Sequence, residues 1–211
     1  MSHRFFPMIA LPTLQNINRA ADIVKTGGLI AYPTETVYGL GADPHNDEAV
    51  QKIFAAKGRA EDKGIILLIR SVDDLSTLVR VVSPIAQTLI RAFWPGPLTL
   101  VFRANPDLSP ALLGGRDTVA LRHSSSPVAS QLLTTLGGPL TSTSANRSTE
   151  PPARSAYEVE NALGEHLDLI LDGGPSDSTL PSTLVDVSTD HAILLREGAI
   201  PVQKLRAHIH L

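Results

Sequence analysis

Residues 16–33, NINRAADIVKTGGLIAYP, contain the pattern that decides the fold. Over residues 16–25 the apolar side chains recur at the spacing of one helical face, which predicts a helix, and the glycine pair at 27–28 supplies a stop signal. The apolar run at 29–32 has the length of a buried strand, and Pro33 ends it. A helix that leads directly into a buried strand indicates an α/β chain.

The same alternation of helix-like and strand-like segments continues along the chain. Helical spacing predicts further helices at 47–57, 84–93, 128–136, 155–163 and 202–209. Short apolar runs predict further strands at 65–69, 98–102, 119–121, 167–171, 184–187 and 193–195. Elements that alternate at these intervals predict an α/β fold with a mixed, largely buried sheet. The stretch richest in glycine, serine and proline, 172–182, lies between two predicted strands, so we expect residues 1–211 to form one domain.

The composition is typical of a folded chain and excludes several classes of site. Of the 211 residues, 43% are hydrophobic and 18% are charged, a balance that argues against disorder. The absence of cysteine excludes disulfides, thiolate zinc sites, iron–sulfur clusters and cysteine nucleophiles. The formal net charge of −3 excludes a globally basic nucleic-acid binder but leaves a local basic face open.

Neither a membrane span nor a signal peptide is predicted. The longest apolar runs, such as 65–69, have strand length, far below the ~20 residues that a spanning helix needs. Pro7 and Pro12 interrupt the apolar N-terminal segment, and no cleavage pattern follows it. We therefore expect a cytoplasmic protein without a membrane partner.

Two polar segments have residues suited to ligand binding. PTETVYGLG at 33–41 places hydroxyls and a carboxylate beyond a strand end, where open α/β sheets bind ligands. The structural alternative is a strand-to-loop turn with Tyr38 and Leu40 packed inward. KGR at 57–59, followed by DKG at 62–64, would suit a phosphate chain, with lysine as a point charge and arginine as a bidentate donor. A solvated charged loop is the alternative there.

Polar residues also gather at later strand ends. Arg122 and Arg196 each close a predicted strand, and a hydroxyl pair at 182–183 precedes another. TSTSAN at 141–146 offers hydroxyls and an amide that would cradle an anion. The same side chains would equally form a capped turn that satisfies its own backbone.

Several standard motifs are absent from the sequence. It has no GxxxxGK[ST] phosphate loop, GxGxxG fingerprint, GxSxG elbow or HExxH pair. Asp43, His45 and Asp47 have side chains of the metal-ligating kind, but DPHND is more simply interpreted as a loop and helix cap. The residues by themselves predict an α/β domain that binds a small anionic ligand.

Eight blocks follow one another in a distinctive order. They are PTETVYGLG (33–41), IFAAKGR (53–59), DKGIILLI (62–69), WPGPLTLVF (94–102), TVALR (118–122), TSTSAN (141–146), STLVDV (182–187) and LLREGAI (194–200). In this order they resemble the YrdC-like family, whose best-known members are threonylcarbamoyl-AMP synthases. The resemblance covers residues 21–200, and the chain is similar to the short, TsaC-type form without a C-terminal extension.

The resemblance implies a twisted, mixed parallel and antiparallel sheet flanked by helices, with a concave, positively charged cavity. It implies a nucleotidyltransferase that makes L-threonylcarbamoyladenylate and pyrophosphate from ATP, L-threonine and bicarbonate, for the N6-threonylcarbamoyladenosine modification of tRNA. Mg²⁺ would arrive with ATP, held mainly by phosphate oxygens and water, with no protein metal ligands and no tightly bound cofactor. The proteins that transfer the threonylcarbamoyl group to tRNA are the implied partners.

The resemblance also implies roles for residues of the quoted blocks. Lys57 and Arg59 would hold the ATP phosphates and act in catalysis. The residues implied at the nucleotide site are Lys57, Arg59, Thr118, Ser144, Asn146 and Arg196. The residues implied at the L-threonine site are Thr34, Arg122, Ser142 and Ser182. Of these, Arg122 would bind the carboxylate.

Ala60, Ser126 and Thr149 depart from the family pattern, in which proline, histidine and glycine are common at these places. Because glycine tolerates a positive φ, Thr149 is expected to reshape the loop beside the nucleotide. An alternative therefore stays open, namely a YrdC-like paralogue that binds double-stranded RNA or tRNA or has a ribosome-linked role. The net charge of −3 argues against strong general RNA binding. The preference for threonine over serine and the oligomeric state are also open.

Overall fold

Two mixed sheets form the framework of this computed structural model, which describes residues 7–58, 64–176 and 178–211. The helices of these residues are α1 (Leu14–Lys25), α2 (Asp47–Lys57), α3 (Leu75–Leu78), α4 (Pro84–Phe93), α5 (Pro110–Leu113), α6 (Pro127–Leu136), α7 (Ala156–Leu163) and α8 (Val202–Arg206). The strands are β1 (Met8–Ala10), β2 (Ile30–Tyr32), β3 (Gly39–Gly41), β4 (Ile66–Leu68), β5 (Leu98–Arg103), β6 (Thr118–Arg122), β7 (Leu140–Thr141), β8 (Thr143–Ser144), β9 (Leu169–Leu171), β10 (Thr183–Asp186) and β11 (Ile193–Arg196). In the described part of the chain, no helix is long and apolar enough to cross a membrane.

The strands form two sheets, whereas the sequence analysis describes one. One sheet has five strands in the order β1-β9-β2-β3-β8, and the other has six in the order β11-β10-β5-β6-β4-β7. Parallel pairs join β1 to β9, β9 to β2, β10 to β5 and β4 to β6, and the remaining neighbours are antiparallel. The predicted mixed α/β fold is confirmed, but the prediction of a single sheet is wrong.

The chain passes from one sheet to the other within residues 140–144. β7 pairs with β4 of the six-stranded sheet, whereas β8 pairs with β3 of the five-stranded sheet. Thr141 N donates to Ala42 O at 3.2 Å, and the next amide, Ser142 N, donates to Ile66 O at 2.7 Å. Strands of two residues leave no periodic signal in the sequence, so TSTSAN was interpretable only as a cradle or a turn.

Helix α1 begins where a side chain can cap it. Thr13 Oγ1 accepts a hydrogen bond from Asn16 N at 3.3 Å, so the helix begins at Leu14, two residues before the predicted start. Its apolar face packs against α6 and β9 in the smaller of two cores. The buried residues of that face are Ile17, Ala20, Ala21 and Val24.

Strand β2 is buried on both faces, which explains its unbroken apolar sequence. Successive side chains of a strand point to opposite faces. Ala31 belongs to the larger core, whereas Ile30 and Tyr32 belong to the smaller core with α1 and α6. A strand covered on both sides has no polar face to interrupt its apolar run, so the predicted strand at 29–32 is confirmed.

Strand β3 lies in PTETVYGLG, beyond the strand that Pro33 was predicted to end. The interpretation of the whole segment as a loop is wrong for Gly39–Gly41, which pairs with β2 on one side and β8 on the other. A Cβ atom at Gly41 would lie 2.9 Å from both Ile30 Cγ1 and Tyr32 Cε1, so the close approach requires glycine. Glycines lower strand propensity, and the neighbouring strands therefore determine this one.

The remaining predicted helices and strands are confirmed, with most ends within two residues. The predicted helix at 202–209 is shorter and ends at Arg206. The elements β1, α3 and α5 were not predicted, because three or four residues are too few to show a period. In 172–182, the described residues form no helix or strand, in agreement with the predicted loop.

The DPHND segment has the predicted structure of a loop and helix cap. Asn46 Oδ1 accepts from Ala49 N at 3.1 Å, and Asp43 Oδ1 accepts from His45 N at 2.9 Å. These bonds are the ordinary ones of a turn and a helix N-terminus. Among the described residues, no group of three or more His, Cys, Asp or Glu side chains could hold a metal ion.

Thr149 adopts a backbone conformation that favours glycine. Its φ is +74°, and within the described ranges it is the one non-glycine residue with a positive φ. The turn around it is fixed by Asn146 Nδ2, which donates to Arg147 O at 2.8 Å and to Glu150 O at 2.7 Å. A β-branched residue in this region is strained by about 1–2 kcal/mol. The substitution thus leaves the loop in a conformation suited to the glycine that it replaces.

Thr149→Gly is expected to raise the free energy of unfolding by about 0.5–1 kcal/mol, because the relieved strain exceeds the added entropy of the unfolded chain. Urea denaturation measures the change. The control is Ser148→Gly, at a neighbouring position without a positive φ. There glycine adds the same conformational entropy to the unfolded chain but relieves no strain, so stability should fall. Equal destabilisation by both substitutions would contradict strain at Thr149.

Candidate active site

A cavity of about 400 Å³ lies over one face of the six-stranded sheet. Alternate residues of β6 and β10 line its floor, and β3, the segment 142–144 and the end of β11 line its sides. Six of the ten residues that the sequence predicts for the site line this cavity. They are Thr118, Arg122, Ser142, Ser144, Ser182 and Arg196. The structure therefore brings together residues that are as much as 78 positions apart in the sequence.

Arg122 is a buried guanidinium at the end of β6, only 4% exposed. Its NH1 donates to Thr36 Oγ1 at 2.9 Å and lies 3.9 Å from Glu35 Oε1. Glu35 is itself fixed, because its other carboxylate oxygen accepts from the Ser124 hydroxyl. The Nε atom of Arg122 and Glu35 Oε1 are buried without a hydrogen-bond partner among the described residues. An unpaired buried guanidinium N–H is unfavourable by about 1–3 kcal/mol.

Thr34 lies behind Thr36 rather than in the cavity wall. Its hydroxyl donates to Val37 O at 2.7 Å, accepts from Thr36 N at 3.2 Å and lies 2.9 Å from Thr36 Oγ1. Thr36 lines the cavity and contacts Arg122. The sequence analysis thus missed Thr36 and Glu35 as site residues, although both stand in the PTETVYGLG block that it singled out.

Arg196 and Ser182 form the opposite side of the cavity. The guanidinium donates to Ser182 O through Nε at 3.2 Å and NH2 at 2.8 Å, and the Ser182 hydroxyl pairs with Thr99 Oγ1 at 2.7 Å. Burial, and then the nearby positive charge of Arg122, lower the pKa of Arg196. Two guanidiniums that repel each other favour an anion between them.

Lys57 stabilises the TSTSAN segment and does not line the cavity. It ends α2 and is 4% exposed, and its ammonium donates to the backbone oxygens of Ser144 and Asn146, the latter at 2.8 Å. Asn146 Oδ1 lies 3.4 Å from the same nitrogen. Lys57 therefore holds in place the backbone that carries Ser144 into the cavity. Arg59, the predicted partner of Lys57 on the phosphates, lies outside the described residues.

Asn146 and Ser126 have structural roles in the described residues. The Asn146 amide closes the turn around Thr149, as given above, and does not line the cavity. Ser126, at a position where histidine is common in the family, caps α6. Its side-chain oxygen accepts from Ala129 N at 3.4 Å. The same hydroxyl donates to Pro33 O at 3.1 Å and so joins α6 to the end of β2.

Tyr38 closes the cavity on the side of β3. Its hydroxyl donates to Gly174 O at 2.7 Å, and Gly173 N donates to it at 3.3 Å. Burial, and then the charge of Asp172, raise the pKa of Tyr38 to about 12. The phenol therefore stays protonated at neutral pH and acts here as a neutral donor that joins β3 to the segment after β9.

Lys57→Met is expected to lower the free energy of unfolding by about 2–4 kcal/mol, because two buried carbonyl oxygens lose their donor. Chemical denaturation measures the change. Lys25→Met is the matched control, since Lys25 is an exposed helix-end lysine and its replacement should change stability by about 0.5 kcal/mol or less. A Lys57→Met protein as stable as this control would contradict the structural role.

The comparisons with known proteins agree with this fold. The Sua5/YciO/YrdC family model, described as "Telomere recombination", matches residues 22–198. A threonylcarbamoyl-AMP synthase of Bacillus subtilis is 39% identical over 194 residues, which cover 92% of this chain and 56% of that protein. A threonylcarbamoyl-AMP synthase of Photobacterium profundum is 37% identical over 187 residues, which cover 88% of this chain and 100% of that protein.

The structure of P. abyssi Sua5 complexed with L-threonine superposes with a TM-score of 0.91 at 35% identity, over 97% of this chain and 60% of that one. This chain thus spans little more than half the length of the Bacillus subtilis relative, although it matches the Photobacterium profundum relative over all of that protein's length. The family match, the identity and the shared fold lead to one conclusion. The chain belongs to the Sua5/YciO/YrdC family.

Proposed function

We propose that this protein is a threonylcarbamoyl-AMP synthase, a nucleotidyltransferase that converts ATP, L-threonine and bicarbonate into L-threonylcarbamoyladenylate and pyrophosphate. The observation that carries the proposal is that two guanidiniums, buried Arg122 and exposed Arg196, line one hydroxyl-bearing cavity. Relatives at 37–39% identity that bear this name support it.

The Arg122 end of the cavity fits the amino acid. The planar guanidinium of Arg122 is suited to a carboxylate, and the hydroxyls of Ser142 and, across the cavity, Ser182 would take the polar atoms of threonine. Thr36 replaces Thr34 in the proposed direct contact, since the hydroxyl proton of Thr34 is donated to Val37 O. Thr34 then acts by orienting Thr36.

The Arg196 side of the cavity fits the nucleotide. Arg196, Ser144 and Thr118 line it and would bind ATP, while Lys57 and Asn146 act by holding the backbone around Ser144. Arg59 keeps its proposed phosphate role through the family resemblance alone. Mg²⁺ is proposed to enter with ATP, bound to phosphate oxygens and water.

The proposed chemistry requires position and positive charge rather than a protein nucleophile. Threonine's amine and bicarbonate give a carbamate with loss of water. A carbamate oxygen then forms a bond to the α-phosphorus as the bond from that phosphorus to the bridging oxygen breaks, and pyrophosphate leaves with the electron pair. Guanidiniums held in the cavity wall would stabilise the charge that develops on the phosphoryl oxygens.

The product would feed N6-threonylcarbamoyladenosine formation in tRNA, with the threonylcarbamoyl-transfer proteins as partners and the cytoplasm as the place. The relatives' names favour this role over an RNA-binding or ribosome-linked paralogue. The net charge of −3 favours it as well, because RNA affinity depends on neutralised phosphates.

The decisive experiment incubates the protein with ATP, Mg²⁺, bicarbonate and either L-threonine or L-serine. Pyrophosphate release together with the threonylcarbamoyladenylate mass establishes the activity, and the two amino acids measure the preference. If the folded protein forms neither pyrophosphate nor threonylcarbamoyladenylate from ATP, threonine and bicarbonate, the proposal is overturned.

Arg122→Lys is expected to raise the KM for threonine by about tenfold or more with a smaller change in kcat, because a lysine cannot offer the same planar donors to a carboxylate. Steady-state kinetics with threonine varied at saturating ATP measures the split. Arg91→Lys, on the exposed side of α4, is the control and should leave both constants unchanged. An unchanged threonine KM in Arg122→Lys would remove Arg122 from the amino-acid site.

Arg59→Ala is expected to lower kcat by about tenfold or more, because fixed positive charge on a phosphoryl group is a large part of catalysis. Lys57→Ala is expected to do the same through the displaced Ser144 backbone. Pyrophosphate release under saturating substrates measures both, with Arg91→Ala as the control. A folded double variant with near-normal release would exclude both residues from catalysis.

A further inference from the structure

Asp186 is an acidic side chain in a cavity lined by cations and hydroxyls. Three arginines line the cavity, Arg116, Arg122 and Arg196, and Asp186 is the one acidic residue among the described residues of the lining. A carboxylate in this position is unfavourable for a phosphate group nearby, since like charges repel. The side chain must therefore face a part of the ligand that carries hydrogen-bond donors.

The sheet register places Asp186 two strand residues from the level of Arg122 on the cavity floor. Ser182, Leu184 and Asp186 are alternate residues that line the same face, and four residues of strand span about 13 Å. Asp186 pairs with Val101 of β5, which pairs in turn with Ala120 of β6, so Asp186 is level with Ala120. Arg122 is level with Leu184, and Ser182 lies two residues beyond that level on the side away from Asp186.

One carboxylate oxygen of Asp186 is available to a ligand. Oδ1 accepts from Ser188 N at 2.8 Å, which fixes the side chain. Within the described residues, neither Oδ1 nor Oδ2 forms an ion pair with the cavity arginines, and Oδ2 has no hydrogen-bond partner. The free oxygen can accept a hydrogen bond from a hydroxyl or amino group.

The distance between Arg196 and Asp186 indicates which group of the ligand donates to the free oxygen of Asp186. Arg196 pairs across the sheet with Leu184, two residues before Asp186, a separation of about 7 Å along the strand. A nucleotide with its phosphates at the level of Arg196 brings its ribose hydroxyls to Asp186, whereas the adenine amino group lies farther out. Carboxylates at strand ends bind ribose hydroxyls in other nucleotide folds.

We propose that Asp186 accepts a hydrogen bond from a ribose hydroxyl of the bound nucleotide and thereby selects ribonucleotides over deoxyribonucleotides. The inference rests on the proposed function only in taking a nucleotide as the ligand. The same carboxylate sets the direction in which the nucleotide lies, with its phosphates toward Arg122 and Arg196 and its ribose toward Asp186.

Equilibrium binding tests the proposal without turnover. Calorimetry measures the Kd of Mg²⁺-ATP, 2′-deoxy-ATP and 3′-deoxy-ATP for the wild type, for Asp186→Asn and for Asp190→Asn. Asparagine keeps the oxygen that accepts from Ser188 N, so the strand end is preserved, and circular dichroism checks the fold. Asp190→Asn removes the same charge from an exposed residue four positions away and is the matched control.

In the wild type and in Asp190→Asn, at least one deoxynucleotide is expected to bind about 10–100-fold more weakly than ATP, as for a lost hydrogen bond to a charged group. In Asp186→Asn, ATP is expected to bind about as weakly as that deoxynucleotide. Discrimination that persists unchanged in Asp186→Asn would overturn the role of Asp186, as would a wild type that binds all three nucleotides equally.

The failure of the proposed function has a different signature. A wild type that binds ATP with the expected discrimination but makes no threonylcarbamoyladenylate would contradict the synthase proposal and leave the Asp186 inference standing. If the wild type makes threonylcarbamoyladenylate but Asp186→Asn still binds ATP more tightly than the deoxynucleotides, the synthase proposal stands and the Asp186 inference is contradicted. Inosine triphosphate, which lacks the adenine amino group, distinguishes a contact with the ribose from a contact with the base. If the wild type binds it more weakly than ATP and Asp186→Asn binds the two equally, Asp186 contacts the adenine amino group instead.

Discussion

The convergence of two guanidiniums on one cavity, buried Arg122 and exposed Arg196, is the constraint on which the candidate site depends. Guanidiniums are unfavourable away from water unless donors and charges are matched around them. Thr36 and Glu35 meet part of that requirement for Arg122, and the backbone oxygen of Ser182 meets part of it for Arg196. The positive charge of Arg122 contributes, after burial, to the lowered pKa of Arg196, so the two side chains together favour an anion in the cavity.

The passage between the two sheets supplies the hydroxyls that face those cations. Segment 140–146 pairs with one sheet, crosses and pairs with the other, and the ammonium of Lys57 binds its backbone from outside the cavity. This explains how a lysine that does not line the cavity still influences it. Charge on Lys57 fixes the position of Ser144, and position is what a phosphoryl transfer requires.

The departures from the family pattern that the structure describes lie outside the cavity wall. Ser126 caps α6 and fastens it to the end of β2, and Thr149 occupies a turn in a conformation suited to glycine. Neither change removes a cation or hydroxyl from the cavity lining. The third departure, Ala60, lies outside the described residues. The altered positions thus give no structural reason to assign a different chemistry to the described site.

The sequence by itself determined the α/β class and the longer helices and strands, and it singled out six residues that line the cavity, because periodicity, caps and motif blocks are local signals. It did not determine that there are two sheets, since strands as short as β7, β8 and β3 form only where partner strands satisfy their backbone. Tertiary structure also decided that Thr36 faces the cavity instead of Thr34, and that Lys57 binds carbonyl oxygens behind it. Which of two neighbouring polar groups reaches a ligand depends on packing between distant segments, and no local pattern encodes that.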